Sequence, residues 1–220
     1  MKRKIITTSD GSKTIHIEEW NEQYHSKHGA IQEAYHVFIK NGLSLYENTA
    51  INILEIGFGT GLNALITAIE ARKKNVIVNY TGVEAYPISI EELEQLNYIS
   101  ELNVADFEPV FKKMHGVDWE VGFFITENLK LLKQQKDFIK IDDENLYDLV
   151  YFDAFGARVQ PELWTEEVFF KMYKAMKNKG VLVTYSAKGS VRRAMLAVGF
   201  KVERLPGPPG KREMLRATKL

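Results

Sequence analysis

Asn52-Ile-Leu-Glu-Ile-Gly-Phe-Gly-Thr-Gly-Leu62 is a short apolar run that breaks into closely spaced glycines and then into a helix-forming segment. A parallel strand hands over in this way to a helix whose first amide groups face a ligand. Gly57, Gly59 and Gly61 can take backbone angles closed to residues with a Cβ, and they let a ligand lie against the main chain. A nucleotide-like ligand is the first expectation.

The spacing is Gly-x-Gly-x-Gly, whereas the dinucleotide fingerprint needs its third glycine where Leu62 stands. Two acids bracket the loop: Glu55 just before it, and Glu84 after the run Val76-Ile-Val-Asn-Tyr-Thr-Gly-Val83. That arrangement fits a class I methyltransferase, in which the carboxylate ending the second strand accepts from two ribose hydroxyls. S-adenosylmethionine is the expected cofactor, with a nicotinamide cofactor or a purely structural glycine turn as the other readings.

Outward from the loop the rhythm is strand, helix, strand. Strands are expected at 51–56, 76–83, 119–125 and 147–152, and helices at 62–73, 88–96 and 165–176, with 106–114 of mixed character. Lys179-Gly180 turns into a strand over 181–185, and a helix follows over 190–198. Strands at 200–205 and 211–218 are joined by Pro206-Gly-Pro-Pro-Gly210, too short for a crossover helix, so this last pair must be antiparallel. The expected fold is α/β and Rossmann-like: a mostly parallel seven-stranded sheet with a terminal antiparallel hairpin. Before it, a hairpin around Asp10-Gly11 and a helix over 30–41 make an N-terminal extension. The division is residues 1–50 and a methyltransferase domain, 51–220.

With 220 residues and 45% hydrophobic content, one such domain can bury a full core. No cysteine is present, which excludes disulfides and thiolate chemistry and suggests a reducing compartment. The start, Met1 to Ser9, is basic without the apolar core of a signal peptide, and no run approaches the ~18 residues of a membrane span. A cytoplasmic protein without a membrane partner is expected. Net charge is zero, yet from Ala187 to Leu220 nine basic residues face two acids, Glu203 and Glu213. This segregation suits a basic docking face for nucleic acid, or a solvated surface that is basic. His25, His28 and His36 lack metal-ligand spacing with carboxylates, so no metal site is expected.

A second constellation follows the 147–152 strand: Asp153-Ala-Phe-Gly-Ala-Arg-Val-Gln-Pro-Glu-Leu-Trp164. It falls at the carboxyl ends of the strands, where open α/β sheets bind ligands. An acid, two aromatics and a proline there read as a substrate pocket, or as core aromatics with an acid capping the loop. Together with Gly57 to Asn63, Val83-Glu-Ala-Tyr-Pro87, Thr184-Tyr-Ser-Ala187, Gly189-Ser-Val-Arg-Arg193 and Lys211-Arg-Glu-Met-Leu215, it resembles the MnmC-type tRNA 5-methylaminomethyl-2-thiouridine biosynthesis methyltransferases. The resemblance spans most of 51–218.

That resemblance implies methylation of the aminomethyl group on the wobble uridine of certain tRNAs. It implies cofactor contacts from Glu55, Gly57, Phe58, Gly59, Thr60, Gly61, Asn63, Glu84 and Asp153. In the family an acid after the third strand reaches the adenine amino group. Here Glu127 and Asn128 fall near that place. A second departure is Gly156-Ala-Arg-Val where the family has a proline-containing stretch. With no flavin domain in the sequence, other enzymes are expected to supply the aminomethyl substrate.

Methyl transfer from a sulfonium is an in-line displacement, and the nucleophile must be an uncharged amine held ~3–3.5 Å from the methyl carbon. Asp153 is the candidate catalytic residue, orienting the amine or accepting its proton. The wobble base of the anticodon loop can be splayed out and stacked on Phe155, Trp164 or Tyr185. Arg192, Arg193, Lys211 and Arg212 would contact flanking phosphates. Three rivals remain open: a methyltransferase of small amines or proteins, a non-catalytic tRNA-binding module, and an aminopropyl transferase.

Overall fold

Asp10-Gly11 turns the chain between β1 (Arg3–Thr7) and β2 (Lys13–Ile17) in the computed structural model, which describes residues 2–220. Residue 1 of the expected extension lies outside the described residues. The two-residue β3 (Glu22–Gln23) completes a small antiparallel sheet. The expected helix over 30–41 is regular only in α1 (Ala30–Ala34) and continues as a π-helical turn, Tyr35–Lys40. The widened turn sends three successive side chains, Val37, Phe38 and Ile39, into the core, a spread broader than one face of a regular helix.

The main sheet starts with β4 (Ala50–Ile56), α2 (Leu62–Lys73) and β5 (Ile77–Glu84). Leu62 to Ile69 of α2 are all buried, because the helix is covered on one side by the sheet and on the other by the 30–43 segment. The expected helix over 88–96 is two short ones, α3 (Ile90–Leu93), begun by a Ser89–Glu92 capping box, and α4 (Tyr98–Glu101). The mixed stretch resolves into α5 (Glu108–Gly116), with Pro109 in its first turn.

Here the structure departs from the expected strand order. The stretch 119–125 holds only β6 (Gly122–Phe124), which runs antiparallel at the sheet edge. The third parallel strand is β7 (Leu129–Gln135). After it come β8 (Tyr147–Phe152), α6 (Glu166–Ala175), β9 (Met176–Thr184), α7 (Gly189–Ala197), β10 (Phe200–Pro206) and β11 (Glu213–Lys219). β9 begins five residues earlier than expected, its register against β8 shifting before Leu149 pairs with Val181. The sheet has eight strands, not seven, in the order β10-β11-β9-β8-β4-β5-β7-β6. Five are parallel and the terminal hairpin is antiparallel, as expected. One core lies beneath α1, α2 and α5, and a second, containing Phe152, Phe169, Met172 and Met195, lies beneath α6 and α7 on the other face.

Candidate active site

The carboxyl ends of β4, β5 and β8 open into a cleft lined by Gly57, Gly59, Asn63, Glu84 and Asp153. Its back wall is the glycine loop. Gly57, Gly59 and Gly61 have φ of +90°, +50° and +72°. A Cβ on Gly57 would stand 2.8 Å from the Asp153 carbonyl oxygen, so only glycine lets this loop lie against the chain leaving β8. The amides of Gly57 and Phe58 both donate to the Val83 carbonyl, pinning the loop to β5. Phe58 turns its ring away from the cleft into a space left by Gly82, where a Cβ would sit 2.4 Å from the ring. It is a core residue, and its main chain is what faces a ligand.

Glu84 ends β5. One oxygen accepts the Gly59 amide (3.0 Å) and the other the Tyr86 amide (2.9 Å), which fixes the carboxylate and leaves each oxygen further accepting capacity. Beyond the neighbouring strand, Asp137, Phe138 and Ile139 line the cleft. Glu127 and Asn128 do not. They lie in the turn that enters β7, where the Asn128 carbonyl accepts the Val78 amide at the amino end of the sheet. The adenine assignment to them is corrected: a parallel sheet presents its ligand at the other end, and Asp137 occupies the place expected for an adenine-facing acid.

Beneath the loop sits a three-residue polar cluster. Asn63 Nδ2 donates to Glu55 Oε1 (2.8 Å) and to Asp153 Oδ2 (2.9 Å). Among the described residues, Glu55 Oε2 and Asn63 Oδ1 are buried without a hydrogen-bond partner. Burial pushes both carboxyl groups well above the usual carboxylate range, against the hydrogen bond from Asn63. The acid of Glu33 raises Asp153 further, while Lys211 opposes it. Thr60 accepts the Tyr98 hydroxyl on its Oγ1, and its carbonyl accepts from His115 Nε2.

The expected stacking set divides. Phe155 lines the cleft, but Trp164 is 5% exposed, donates its indole N–H to the Phe155 carbonyl and packs among Phe152, Phe169 and Tyr185. Tyr185 is likewise structural: its hydroxyl donates to the Ala154 carbonyl, and Lys211 Nζ lies 3.8 Å from its ring centre. Burial of large aromatic surface wins over display at Trp164, whereas Tyr185 is half-buried and held by its hydroxyl. The aromatics that accompany Phe155 are Trp20 and Tyr24, with ring centres 5.4 and 5.0 Å away, and neither was anticipated from the sequence. Arg3 also lines the cleft, donating to the carbonyls of Tyr86 and Pro87. Only the local aromatic spacing in Trp20-Asn-Glu-Gln-Tyr24 could have drawn attention to this segment.

Of the expected phosphate-contacting residues, Lys211 is engaged with Glu33 at 2.5 Å, so its charge is spent inside the protein. Arg193 and Arg212 are exposed and Arg192 half-buried; among the described residues none of their side chains has an ion-pair partner. Because Leu215 pairs with Thr184, both the 207–212 turn and the start of α7 lie at the cleft end of the sheet. Arg192, Arg193 and Arg212 therefore stand on the same end as Asp153. Among the described residues, no group of three or more potential ligands could hold a metal, and no helix is long and apolar enough to cross a membrane.

A glycine cradle that any Cβ would fill, a fixed acceptor carboxylate and an unpartnered amide oxygen fit a nucleoside-bearing cofactor. Comparison with known proteins agrees. MnmC of Hydrogenovibrio crunogenus, a bifunctional tRNA 5-methylaminomethyl-2-thiouridine biosynthesis protein, is 28% identical over 97% of this chain and 33% of its own length. The protein of the same name from Leptospira interrogans is 30% identical over 90% of this chain and 32% of its own. The chain thus spans about a third of these curated relatives. The crystal structure of MnmC2 from Aquifex aeolicus is 27% identical with a TM-score of 0.74, over 98% of this chain and 69% of that one. Spermidine synthase of Thermotoga maritima shares the fold alone, at 13% identity and a TM-score of 0.54, over the whole of this chain and 74% of its own. Residues 94–220 match a family described as S-adenosyl-L-methionine-dependent methyltransferase, and the chain belongs to that family.

Proposed function

We propose that this protein transfers a methyl group from S-adenosylmethionine to the exocyclic amine of 5-aminomethyl(-2-thio)uridine at the wobble position of tRNA, giving the 5-methylaminomethyl form. The observation that carries the reading is Asp153: a half-buried acid lining the cleft, tied through Asn63 to the glycine-loop helix and raised in pKa. The names of the MnmC relatives support the tRNA part.

Bound S-adenosylmethionine supplies a methyl carbon on a positively charged sulfur that leaves as a neutral thioether. Glu84 would hold the ribose hydroxyls, the glycine-loop amides and Asn63 the polar end, and Asp137 with Ile139 the adenine edge. Asp153 faces the incoming amine. An ordinary Asp, at ≈ 3.9, is a poor proton acceptor for an alkylammonium near ≈ 10.4, but burial narrows that gap. Asp153 would orient the neutral amine toward the methyl group that the cofactor would supply, and would take up the surplus N–H proton or pass it to water. Arg192, Arg193 and Arg212 would meet the anticodon phosphates. We further infer that the protein works in the cytoplasm, coupled to enzymes that supply the aminomethyl group.

The test is incubation of the purified protein and labelled cofactor with tRNA lacking the final methyl, followed by nucleoside mass spectrometry. A gain of one methyl on the modified uridine is the expected result. Label appearing only on small amines or on protein would overturn the reading.

A further inference from the structure

We infer that the 18–24 segment, lying before the methyltransferase sheet, supplies the base-binding wall of the substrate site, with Trp20 and Phe155 flanking the extruded pyrimidine and Arg158 as the positioning residue. This rests on the proposed function and goes beyond it, because it brings the 18–24 segment, which lies outside the family's matched region 94–220, into recognition beside Phe155 and Arg158 within that region.

Three observations carry it. First, Trp20, Tyr24 and Phe155 all line the cleft and are only half-buried, so each has ring surface turned to the open space. Phe155 meets both partners edge-on, at 80° and 87°. Such T-shaped contacts hold the rings rigid through their edges without hiding every face. Second, Asp153 and Phe155, two residues apart in the chain, line the same cleft as Trp20, so the aromatic wall and the carboxylate share one space. Tyr24 lies over Gly59, 3.1 Å from where that residue's Cβ would be, and so stands beside the glycine loop, while Trp20 lines the same cleft.

Third, the wall is clamped. Arg158 Nη2 donates to the carbonyls of Trp20 (3.2 Å) and Asn21 (3.0 Å) and to Glu22 Oε2 (3.1 Å). The guanidinium thereby ties the loop carrying Phe155 to the turn carrying Trp20. That turn ends at Asn21, whose φ of +44° lets it reverse direction there. All three acceptors gather at the one nitrogen, whose two N–H groups are shared among them.

The test uses the full chain, wild type and three variants: Trp20→Ala, Trp20→Phe and Arg158→Ala. Methylation kinetics are read with undermethylated tRNA, and cofactor affinity by calorimetry. Trp20→Ala is expected to raise KM for tRNA roughly 5- to 160-fold, the range of base–aromatic stacking, with the cofactor Kd unchanged. Trp20→Phe recovers most of the loss. Arg158→Ala raises KM in the same direction while kcat is retained. An unchanged KM in Trp20→Ala, or a cofactor Kd that rises in parallel, would overturn the assignment. Quenching of tryptophan fluorescence by an anticodon stem-loop, lost in Trp20→Phe, reads the contact without turnover. Failure of wild type to methylate tRNA overturns the proposed function instead, and the quenching still reports on the wall.

Discussion

Replacing Asn63 by alanine removes a single nitrogen that serves two acids, at 2.8 Å to Glu55 and 2.9 Å to Asp153. Each such bond contributes about 1–1.5 kcal/mol net, so two are lost. Against this, the unpartnered Asn63 Oδ1 disappears with the side chain and returns about 1 kcal/mol of desolvation. The net destabilisation is about 1–2 kcal/mol, and the melting temperature of a chain of this size should fall by about 2–8 °C. The same N–H holds both carboxyl pKa values down, so in Asn63→Ala both rise. If methyl transfer needs ionised Asp153, the acid limb of kcat/KM moves to higher pH. Melting followed by circular dichroism, and a pH profile between 5 and 9, read the two effects separately. An acid limb that stays in place while stability falls would refute the idea that Asp153 must be ionised for turnover.

Gly57→Ala should lower cofactor affinity at least about tenfold by calorimetry, since a Cβ at φ +90° both strains the loop and meets the Asp153 carbonyl. Trp164→Ala should cost about 3–5 kcal/mol of stability in urea titration, as a core deletion does; a normal urea midpoint with a raised KM would restore its role as a stacking residue. His25 and His115 are both lowered from 6.5 to about 4, chiefly by burial. A lowered histidine contributes stability that is full above the unfolded value and is lost as pH falls from 6.5 through about 4, at most about 3 kcal/mol each. His115→Gln keeps a donor for the Thr60 carbonyl without the titration, so its urea midpoint should change less than the wild type's between pH 7 and pH 4.5.

The glycine loop, Glu84, Asp153 and the terminal hairpin were legible because each is a local pattern with one physical reading. The third parallel strand was not, and Lys133 shows why. Leu129-Lys-Leu-Leu-Lys-Gln-Gln135 carries two lysines, yet Lys133 is 1% exposed, its Nζ donating to the His115 carbonyl and lying 4.9 Å from the Trp119 ring centre. Burial accordingly lowers its pKa to about 8. Misplacing that strand carried the adenine contacts to Glu127 and Asn128, at the wrong end of the sheet. The pairing of Trp20 and Tyr24 with Phe155 escaped for another reason: it joins residues more than 130 apart in sequence, and no periodicity encodes such a meeting.

The position of β11 between β9 and β10 has a consequence for biosynthesis. While residues 213–219 are still inside the ribosomal tunnel, β9 shows a bare rim of amides and carbonyls, and β10 has nothing to pair with. The nascent protein is therefore most prone to sticking to its neighbours just before those residues emerge, and a ribosome stalled over this stretch would leave that rim open.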